Sequence, residues 1–382
     1  GDGGAGGGFC VEEDFFEGVK PLVNQLKLRA SYGSLGNANI SNYPSYATLS
    51  SSAYVLNEQI VPTYTLSSAV NRDIVWETTK KLDIGLEISL FDNKMDLEVG
   101  YYKSNTYDLL YGEPIPWSAG KTSNPTVNGG EVENKGLEIN LGYREVIGDF
   151  SYDVSVNFFR NKNKVVDLGG NNFRTSGLEV GQPIYSFFGY KSLGIIKSQE
   201  TLDNYPQKTG ASLGDIWVAD VDGFDENGEL TGVPDGIINV ADRTFIGNKY
   251  PSFSYGFFGN VSYKNLSLSI SLSGVHGVDL NTLGLGYFTG VSVNTTTRVL
   301  DRWQATKNPD GDMPRVTRSD PAANLTDMSS FWLSDASYLK VNNINLSYEL
   351  PANLVKKIRS NRVEVYLSGQ NLYTFTKFPG QE

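Results

Sequence analysis

Cysteine, histidine and methionine are scarce in this 382-residue sequence, which contains one Cys, one His and three Met. A lone cysteine, Cys10, cannot form an internal disulfide, and one histidine, His276, cannot complete the ligand set of a zinc site. The sequence has no H-E-x-x-H motif and no Cys and His set suited to catalysis. These absences predict a protein that is not an enzyme and requires no cofactor.

Long apolar runs and an excess of basic residues are also missing. Hydrophobic residues make up 39% of the chain, and no run is long enough for a membrane-spanning helix. A net charge of -11 disfavours nucleic acid as a partner, because phosphates would be repelled. No signal peptide opens the sequence, so an exported protein would have lost that segment, or the chain would be a fragment.

The clearest pattern in the chain is an alternation over residues 80–102, KKLDIGLEISLFDNKMDLEVGYY. Leu82, Ile84 and Leu86 alternate with acids and glycine, and Met95 and Leu97 begin a second alternating arm after a short turn. A period of two places the apolar side chains on one face of a strand and the acids on the other. Each arm keeps its alternation for about 9 to 11 residues, the length that crosses a bilayer at a tilt. The stretch therefore predicts a transmembrane β-hairpin, with a strand pair of a soluble sandwich as the alternative.

The same alternation recurs along the chain and predicts about nine strands. Further strands are expected at residues 26–32, 137–143, 150–158, 253–263, 266–272, 339–348 and 363–367. The apolar parity shifts within the strand that begins near Leu339, which predicts a bulge near Asn342 and Asn343. Residues 351–361 have the spacing of one short helix.

Connection lengths favour a barrel over a sandwich. Tight turns at residues 92–94, 145–149 and 264–265 alternate with long loops, as in outer-membrane barrels with short periplasmic turns and long extracellular loops. Aromatic residues beside the short turns, as an interfacial girdle requires, are Phe91, Tyr143, Phe150 and Tyr263. We therefore predict an all-β fold, an antiparallel transmembrane β-barrel with long extracellular loops, in contact with the lipid bilayer.

Residues 1–25 are expected to form a low-complexity tail and a short turn before a barrel portion at residues 26–382. The first ten residues, GDGGAGGGFC, fit G-x-G-x-x-G by chance, with no strand before them and no amphipathic helix after them. Residues 12–25 are compatible with a short helical turn.

One acidic loop has a spacing that suggests calcium. Its oxygen-bearing residues are Asp220, Asp222, Asp235, Asn239 and Asp242, with Gly236 at the turn. Early acids, a glycine for the sharp turn and a final acid can wrap a hard cation, although residues 223–234 are inserted between the two groups. A solvated acidic loop is the alternative.

Flat aromatic residues in the long loops are candidates for ligand binding. Trp117, Trp217, Trp303 and Tyr111 suit stacking on sugars, contact with a partner protein, or packing within the loops. Paired acids across the organising hairpin, Glu87 with Glu98 or Asp83 with Asp96, have the residue types of a glycosidase. A hydrated channel wall also explains them, so we expect no catalysis.

The chain resembles the C-terminal part of SusC/RagA-type TonB-dependent outer-membrane transporters of Bacteroidetes. The matching phrases, in the family's order, are LKLRASYGSLGN (26–37), WETTKKLDIGLEISLFDNKMDLEVGYYKSNTYDLL (76–110), NKGLEINLGY (134–143), DGIINVADRTFIGNKYPSFSYGF (235–257), SYLKVNNINLSYELP (337–351) and VYLSGQNLYTFTKFPGQE (365–382).

This resemblance implies a partial barrel, about nine strands of a wall of about 22 in the intact protein, located in the outer membrane of a Gram-negative bacterium. It implies TonB-dependent active import of oligosaccharides or other bulky nutrients, peptides included, with a SusD-like surface lipoprotein as partner. The TonB complex would act through an N-terminal plug that this chain does not contain. The alternative functions are a surface-displayed structural or adhesive protein and a carbohydrate-binding β-protein without transport.

Overall fold

The computed structural model describes residues 4–10, 22–37, 46, 49–66, 71–113, 124–170, 174, 177–283, 295–357 and 359–380. The regular secondary structure of these residues is mainly β-strand, with two short α-helices, α1 (Gln199–Asn204) and α2 (Ala352–Lys357). The strands are β1 (Gly4–Cys10), β2 (Val23–Asn37), β3 (Leu49–Leu56), β4 (Gln59–Leu66), β5 (Glu77–Leu90), β6 (Met95–Tyr107), β7 (Leu110–Gly112), β8 (Thr126–Asn128), β9 (Glu131–Ile147), β10 (Phe150–Asp167), β11 (Phe187–Tyr190), β12 (Ser192–Ile195), β13 (Ile216–Val218), β14 (Arg243–Gly247), β15 (Phe253–Tyr263), β16 (Leu266–His276), β17 (Asp279–Asn281), β18 (Leu333–Asp335), β19 (Tyr338–Glu349) and β20 (Glu364–Thr376).

Ten strands form one antiparallel sheet, which we call the wall. Its order is β1-β2-β5-β6-β9-β10-β15-β16-β19-β20. Each wall strand therefore lies next to the wall strand that precedes it in the chain, and β1 and β20 are the two edges of an open sheet. The nine strands predicted from the alternation are confirmed, and the all-β antiparallel architecture with them.

The tenth wall strand corrects the expectation of a tail at residues 1–10. Gly4–Cys10 pairs with β2, from Gly4 opposite Gly33 to Cys10 opposite Lys27. Glycines have no side chains that could alternate, so the strand leaves no pattern in the sequence, while the unpaired backbone groups of β2 offer it partners. Strand β2 begins at Val23, earlier than the predicted Leu26. The predicted helical turn at residues 12–25 lies mostly outside the described residues.

The register divides the wall side chains into two faces. Leu86 on β5 lies opposite Leu28 on β2 and Val99 on β6, and this apolar side is the outer face. Asp83 and Glu87 lie on the other side, the inner face. Outer-face side chains remain uncovered by protein, as the exposed fractions of 46% for Leu28 and 41% for Ile84 demonstrate. A wall with uncovered apolar residues on one face requires an apolar solvent on that face.

Aromatic side chains mark both ends of the outer face. Beside the short turns Tyr143 stacks on Tyr152 with 5.8 Å between ring centroids, and at the other end Phe158 stacks on Phe253 at 5.5 Å. Strand β15 runs from Phe253 to Tyr263, which is about 33 Å along the strand and about 25 Å of depth at a tilt of about 40°. This height matches the apolar band of an outer-membrane barrel.

The inner face changes character along the wall. Strands β2, β5 and β6 present charged residues there, whereas β16 presents Ser267, Ser269, Ser271 and Ser273. The β16 serines lie opposite small or neutral residues of β15, and the hydroxyls of Ser262 and Ser267 are 2.7 Å apart. The inner face is therefore charged over β2, β5 and β6, and uncharged over β15 and β16.

The turns and the bulge follow the predicted pattern. Phe91, Asp92 and Asn93 turn in the left-handed region, with φ of 56°, 56° and 62°, and Lys264 turns with φ of 52°. Strand β19 shifts register against both neighbours at Asn342, next to which Val341 and Asn343 keep their pairs, so the predicted bulge is confirmed. Helix α2 confirms the predicted helix within residues 351–361.

One hairpin was not expected. Strands β3 and β4 pair over Leu49–Leu56 and Gln59–Leu66, where no strand was predicted. Serine and threonine occupy many of its positions, so no apolar alternation reveals it. Among the described residues, no helix has the length and apolar character needed to cross a membrane.

Candidate functional site

A charged cluster occupies the inner face where β2, β5 and β6 meet. Arg29 Nη1 lies 2.7 Å from Asp83 Oδ1, Arg29 Nε lies 3.4 Å from Glu87 Oε1, and Arg29 Nη2 lies 3.3 Å from Glu98 Oε1. Lys27 adds a second contact to Glu87 at 3.1 Å. Glu87 and Glu98 are cross-strand partners, and like charges in that position repel each other. Arg29 relieves this repulsion by binding both.

The two acids suggested as a catalytic pair, Glu87 and Glu98, are therefore both bound by Arg29. Glu87 and Glu98 face each other as the sequence suggested, but Asp83 lies opposite Tyr102, and Asp96 lies opposite Ser89, so the second suggested pair is wrong. The period of two gives the face of a residue but not its partner, which depends on the turn.

Two long connections fold together into a unit that we call the loop body, residues 187–247 and the described parts of 279–335. Its core consists of Tyr190, Ile195, Ile216, Val218, Ile238, Met313 and Trp332. Trp332 is fully buried, and its indole N–H donates to the backbone oxygen of Asn324 at 2.7 Å. The loops thus bury a hydrophobic core of their own.

A buried ion pair connects the two halves of the loop body. Arg315 Nε donates to Asp215 Oδ1 at 2.7 Å and Arg315 Nη2 donates to Asp215 Oδ2 at 3.0 Å, while the Asn324 amide donates to Oδ1 at 3.0 Å. Asp215 is fully buried. Its hydrogen bond with Arg315 raises the pKa of that guanidinium, so Arg315 keeps its positive charge.

The acidic loop that suggested calcium is held by backbone amides. Asp242 accepts hydrogen bonds from the amides of Val221 at 2.8 Å and Asn239 at 2.7 Å. Asp222 accepts from the Gly232 amide at 2.6 Å, and Asp220 Oδ2 accepts from the Gly236 amide at 2.8 Å.

Two further features bear on cation binding in this loop. The Asp235 carboxylate accepts from the Ile237 amide at 2.8 Å, and Asn239 caps the 3-10 helix Val240–Asp242. Burial raises the pKa of Asp242, and this effect outweighs the backbone amides, whose hydrogen bonds stabilise the charged carboxylate and lower the pKa. Among the described residues no group of three or more His, Cys, Asp or Glu side chains is arranged to hold a metal. Calcium binding therefore stays a prediction.

The predicted aromatic residues lie at different places. Trp217 packs against Tyr205, with ring centroids 5.3 Å apart, and Trp303 packs against the core of the loop body over Gly214. Both therefore make packing contacts within the loops. Trp117 lies outside the described residues.

Tyr111 lies in a cleft of about 480 Å³ at the long-loop end of the wall. Val132 and Val165, both on the inner face, form its floor, and Tyr185 and Asp167 also line it. The Tyr185 side chain is 60% exposed. Tyr185 was not predicted, because it belongs to a different loop from Tyr111, although a tyrosine two residues after Pro183 in a long connection was a candidate of the same kind.

Hydrogen bonds fix the shape of this cleft. The Asn128 side chain accepts from the Val75 amide at 2.8 Å and donates to the oxygens of Val75 and Asp108 at 2.7 and 2.9 Å. Glu77 accepts from the Leu110 amide at 3.0 Å and from Asn37 at 2.8 Å, so both its carboxylate oxygens are engaged. The cleft is pre-formed, and its lining includes aromatic rings and two carboxylates, Asp167 and the hydrogen-bonded Glu77.

Comparisons with known proteins agree with this architecture. The family described as TonB dependent receptor-like, beta-barrel matches residues 18–372. TonB-dependent receptor P3 of Formosa agariphila is 35% identical over 97% of this chain and 37% of its own length. TonB-dependent receptor SusC of Bacteroides thetaiotaomicron is 26% identical over 97% of this chain and 36% of its own. A structure of the RagAB peptide transporter superimposes with a TM-score of 0.73 and 26% identity, over 99% of this chain and 40% of that chain.

The chain thus spans little more than a third of the length of these curated relatives. The match begins before β2 and ends within β20, so it includes nine of the ten wall strands, and the proteins of this family lie in the outer membrane of Gram-negative bacteria. An open, partial sheet with an apolar outer face is what such a portion of a barrel requires. The chain belongs to the TonB-dependent receptor β-barrel family.

Proposed function

We propose that this chain supplies wall and loops to an importer of oligosaccharides or other bulky nutrients that acts with a SusD-like surface lipoprotein. The family is one of transporters and receptors rather than enzymes, and SusC and RagAB are among the proteins to which the chain is similar. Relatives named TonB-dependent support energy coupling through the TonB complex. That coupling would use a plug domain elsewhere in the intact protein, and no reaction would be catalysed.

The cleft that contains Tyr111 and Tyr185 carries the proposal. It opens on the inner face at the long-loop end, where a solute that enters the barrel would pass. Aromatic rings stack on the apolar faces of sugars, and a carboxylate such as that of Asp167 accepts hydrogen bonds from hydroxyls. These groups favour a neutral, hydroxyl-rich ligand.

A peptide is the second candidate cargo. The structural neighbour RagAB is named as a peptide transporter, and the cleft is mainly apolar, which also suits peptide side chains. Charge on the ligand distinguishes the two possibilities, because Asp167 would attract a peptide amino group but would contribute to sugar binding only by hydrogen bonds.

Calorimetry on the intact protein tests the proposal, with neutral oligosaccharides and a mixed peptide digest as separate probes. We expect Tyr111→Ala and Tyr185→Ala each to weaken binding about tenfold, since one aromatic contact contributes roughly 1 kcal/mol. Tyr263→Ala, an exposed tyrosine at the short-turn end, is the matched control. Unchanged binding in both cleft variants would refute the cleft as the binding site.

Uptake measurements separate import from the alternatives. Cells that express the intact protein should accumulate the bound probe, and dissipation of the inner-membrane proton gradient should abolish accumulation. Binding without accumulation would indicate a display or adhesion protein. Co-purification of a lipoprotein with the tagged intact protein tests the partner.

A further inference from the structure

A band of positive charge crosses the outer face of the wall at its long-loop end. We call it the basic band, and its members are Lys80, Lys103, Lys135, Arg160, Lys162 and Lys164. The register places them together, because Lys103 lies opposite Leu82 and Lys135, and Lys135 lies opposite Lys162. All six share the parity of the lipid-facing leucines, so none faces the interior of the barrel.

The basic band begins where the apolar surface ends. Along β9 the outer face runs from Tyr143 through Leu141, Ile139 and Leu137 to Lys135, and along β10 it runs through Phe158 to Arg160. Lys135 is eight residues from Tyr143, which is about 26 Å along the strand and about 20 Å of depth at a tilt of about 40°. The charges thus lie at the boundary between hydrocarbon and headgroups, within reach of the headgroups.

The positive charge in the basic band is only partly neutralised by protein. Lys103 and Lys135 hold Glu133 between them, at 2.9 and 2.6 Å, and Glu133 is only 8% exposed. Arg160, Lys162 and Lys164 are exposed, and no ion pair among the described residues involves them. Two outer-face carboxylates, Glu131 and Glu133, therefore accompany six cations.

The positive charge of the basic band is confined to a few strands and does not extend along the whole long-loop end of the outer face. The chain as a whole has a net charge of -11. At the same end of the outer face β15, β16 and β20 present Phe253, His276 and Phe375 instead. The basic band also borders a groove of about 380 Å³. Four of its cations line this groove, Lys135, Arg160, Lys162 and Lys164, and one carboxylate, Glu133, lies among them.

We propose that the basic band binds the phosphate groups of a phosphorylated glycolipid in the outer leaflet. A ligand on the outer face meets the wall from the membrane, so the cargo that passes through the barrel is not a candidate. Arg and Lys side chains at a membrane surface attract anionic headgroups, and a guanidinium can bind two phosphate oxygens at once. The proposal rests on the outer-membrane location and on an outward-facing long-loop end.

Binding of lipid A vesicles to the intact protein in nanodiscs or neutral detergent tests the proposal. The variant R160Q/K162Q/K164Q removes the unpaired cations, and K264Q/K356Q/K357Q removes three charges at the short-turn end as a matched control. We expect the first variant to lose about a hundredfold in affinity for diphosphorylated lipid A, because it removes three cations that attract anionic headgroups. The control should bind like the wild type, and both should keep the wild-type Tm.

Two further probes identify the source of the phosphate. Dephosphorylated lipid A should bind the wild type as weakly as diphosphorylated lipid A binds the variant, which supports recognition of phosphate on a lipid. Inorganic phosphate should compete only at concentrations far above those of lipid A. Equal affinity of both variants for lipid A, or equal affinity of the wild type for inorganic phosphate and lipid A, would overturn the proposal.

Discussion

The guanidinium of Arg29 lies over Gly85, in the space that a side chain at position 85 would occupy. An added methyl group there would overlap the Nε and Cζ atoms of Arg29. The absence of a side chain on β5 thus lets an arginine of β2 reach across to Glu98 on β6. One glycine and one arginine together connect three strands of the wall.

Gly85→Ala should displace Arg29 from its three carboxylates. Partly exposed ion pairs contribute about 0 to 1 kcal/mol each, so we expect a loss of about 1 kcal/mol relative to the control. Gly142→Ala is that control, because it lies on the same face and its added methyl group meets nothing closer than 4.0 Å. Both variants share the backbone effect of alanine, so the difference between their Tm values in detergent isolates the displaced arginine. Equal Tm values would contradict the prediction.

Arg315→Met should destabilise the loop body strongly. It leaves the fully buried carboxylate of Asp215 without its cation, and breaking a buried pair in this way costs about 3 to 5 kcal/mol. Limited proteolysis of the intact protein should detect faster cleavage of the loops in this variant. Lys197→Gln, which breaks an exposed pair with Asp312, should leave the cleavage rate nearly unchanged. Protection equal to that of the wild type in Arg315→Met would disprove the role of the pair.

Asp242 should make loop stability depend on pH. Burial raises its pKa in the folded protein, so the folded state binds the proton more tightly than the unfolded state. As pH falls from above the pKa of Asp242 in the folded protein towards its ordinary pKa, protonation of Asp242 should therefore increase the free energy of unfolding. This contribution is lost again as pH rises through the folded-state pKa. Asp242→Asn removes this titration. The Tm of the wild type, relative to the Tm of the variant, should therefore rise as pH falls. A constant difference between the two Tm values would contradict the shift.

The spacing of acids in the sequence predicts that the acidic loop binds calcium. Asp220 Oδ1 is buried and has no hydrogen-bond partner in the loop. Asp235, which precedes Gly236 at the tight turn, is exposed. We expect calcium titration of the intact protein to release more heat than a magnesium control, and Asp220→Asn together with Asp235→Asn to remove the excess. Equal heats for both cations would end this hypothesis.

The wall could be predicted from the sequence because its information is local. Alternation at a period of two identifies β5, β6 and their neighbours, and a parity change reveals the bulge at Asn342. Gly4–Cys10 has no side chains that alternate, and the β3 and β4 hairpin has mostly small polar ones, so both escape the same test.

The site is less predictable because its contacts are distant in the chain. Asp215 and Arg315 are 100 positions apart, and the Trp332 indole closes a core whose other members lie far along the sequence. No spacing rule connects such residues. Tyr111 was predicted as an aromatic ligand-binding candidate in a long loop, whereas the position of Tyr185 in the same cleft became visible only from the fold.

The row of serines on β16 has a consequence for motion through the barrel. A solute that moves past Ser267, Ser269, Ser271 and Ser273 meets identical short hydroxyls at every second residue, about 6.6 Å apart. Each step exchanges one weak hydrogen bond for another of the same kind, so no position along this strip traps the solute deeply. We therefore expect the β16 serines to hold a passing solute weakly, whereas the charged residues of β2, β5 and β6, elsewhere on the inner face, would bind a polar solute more tightly.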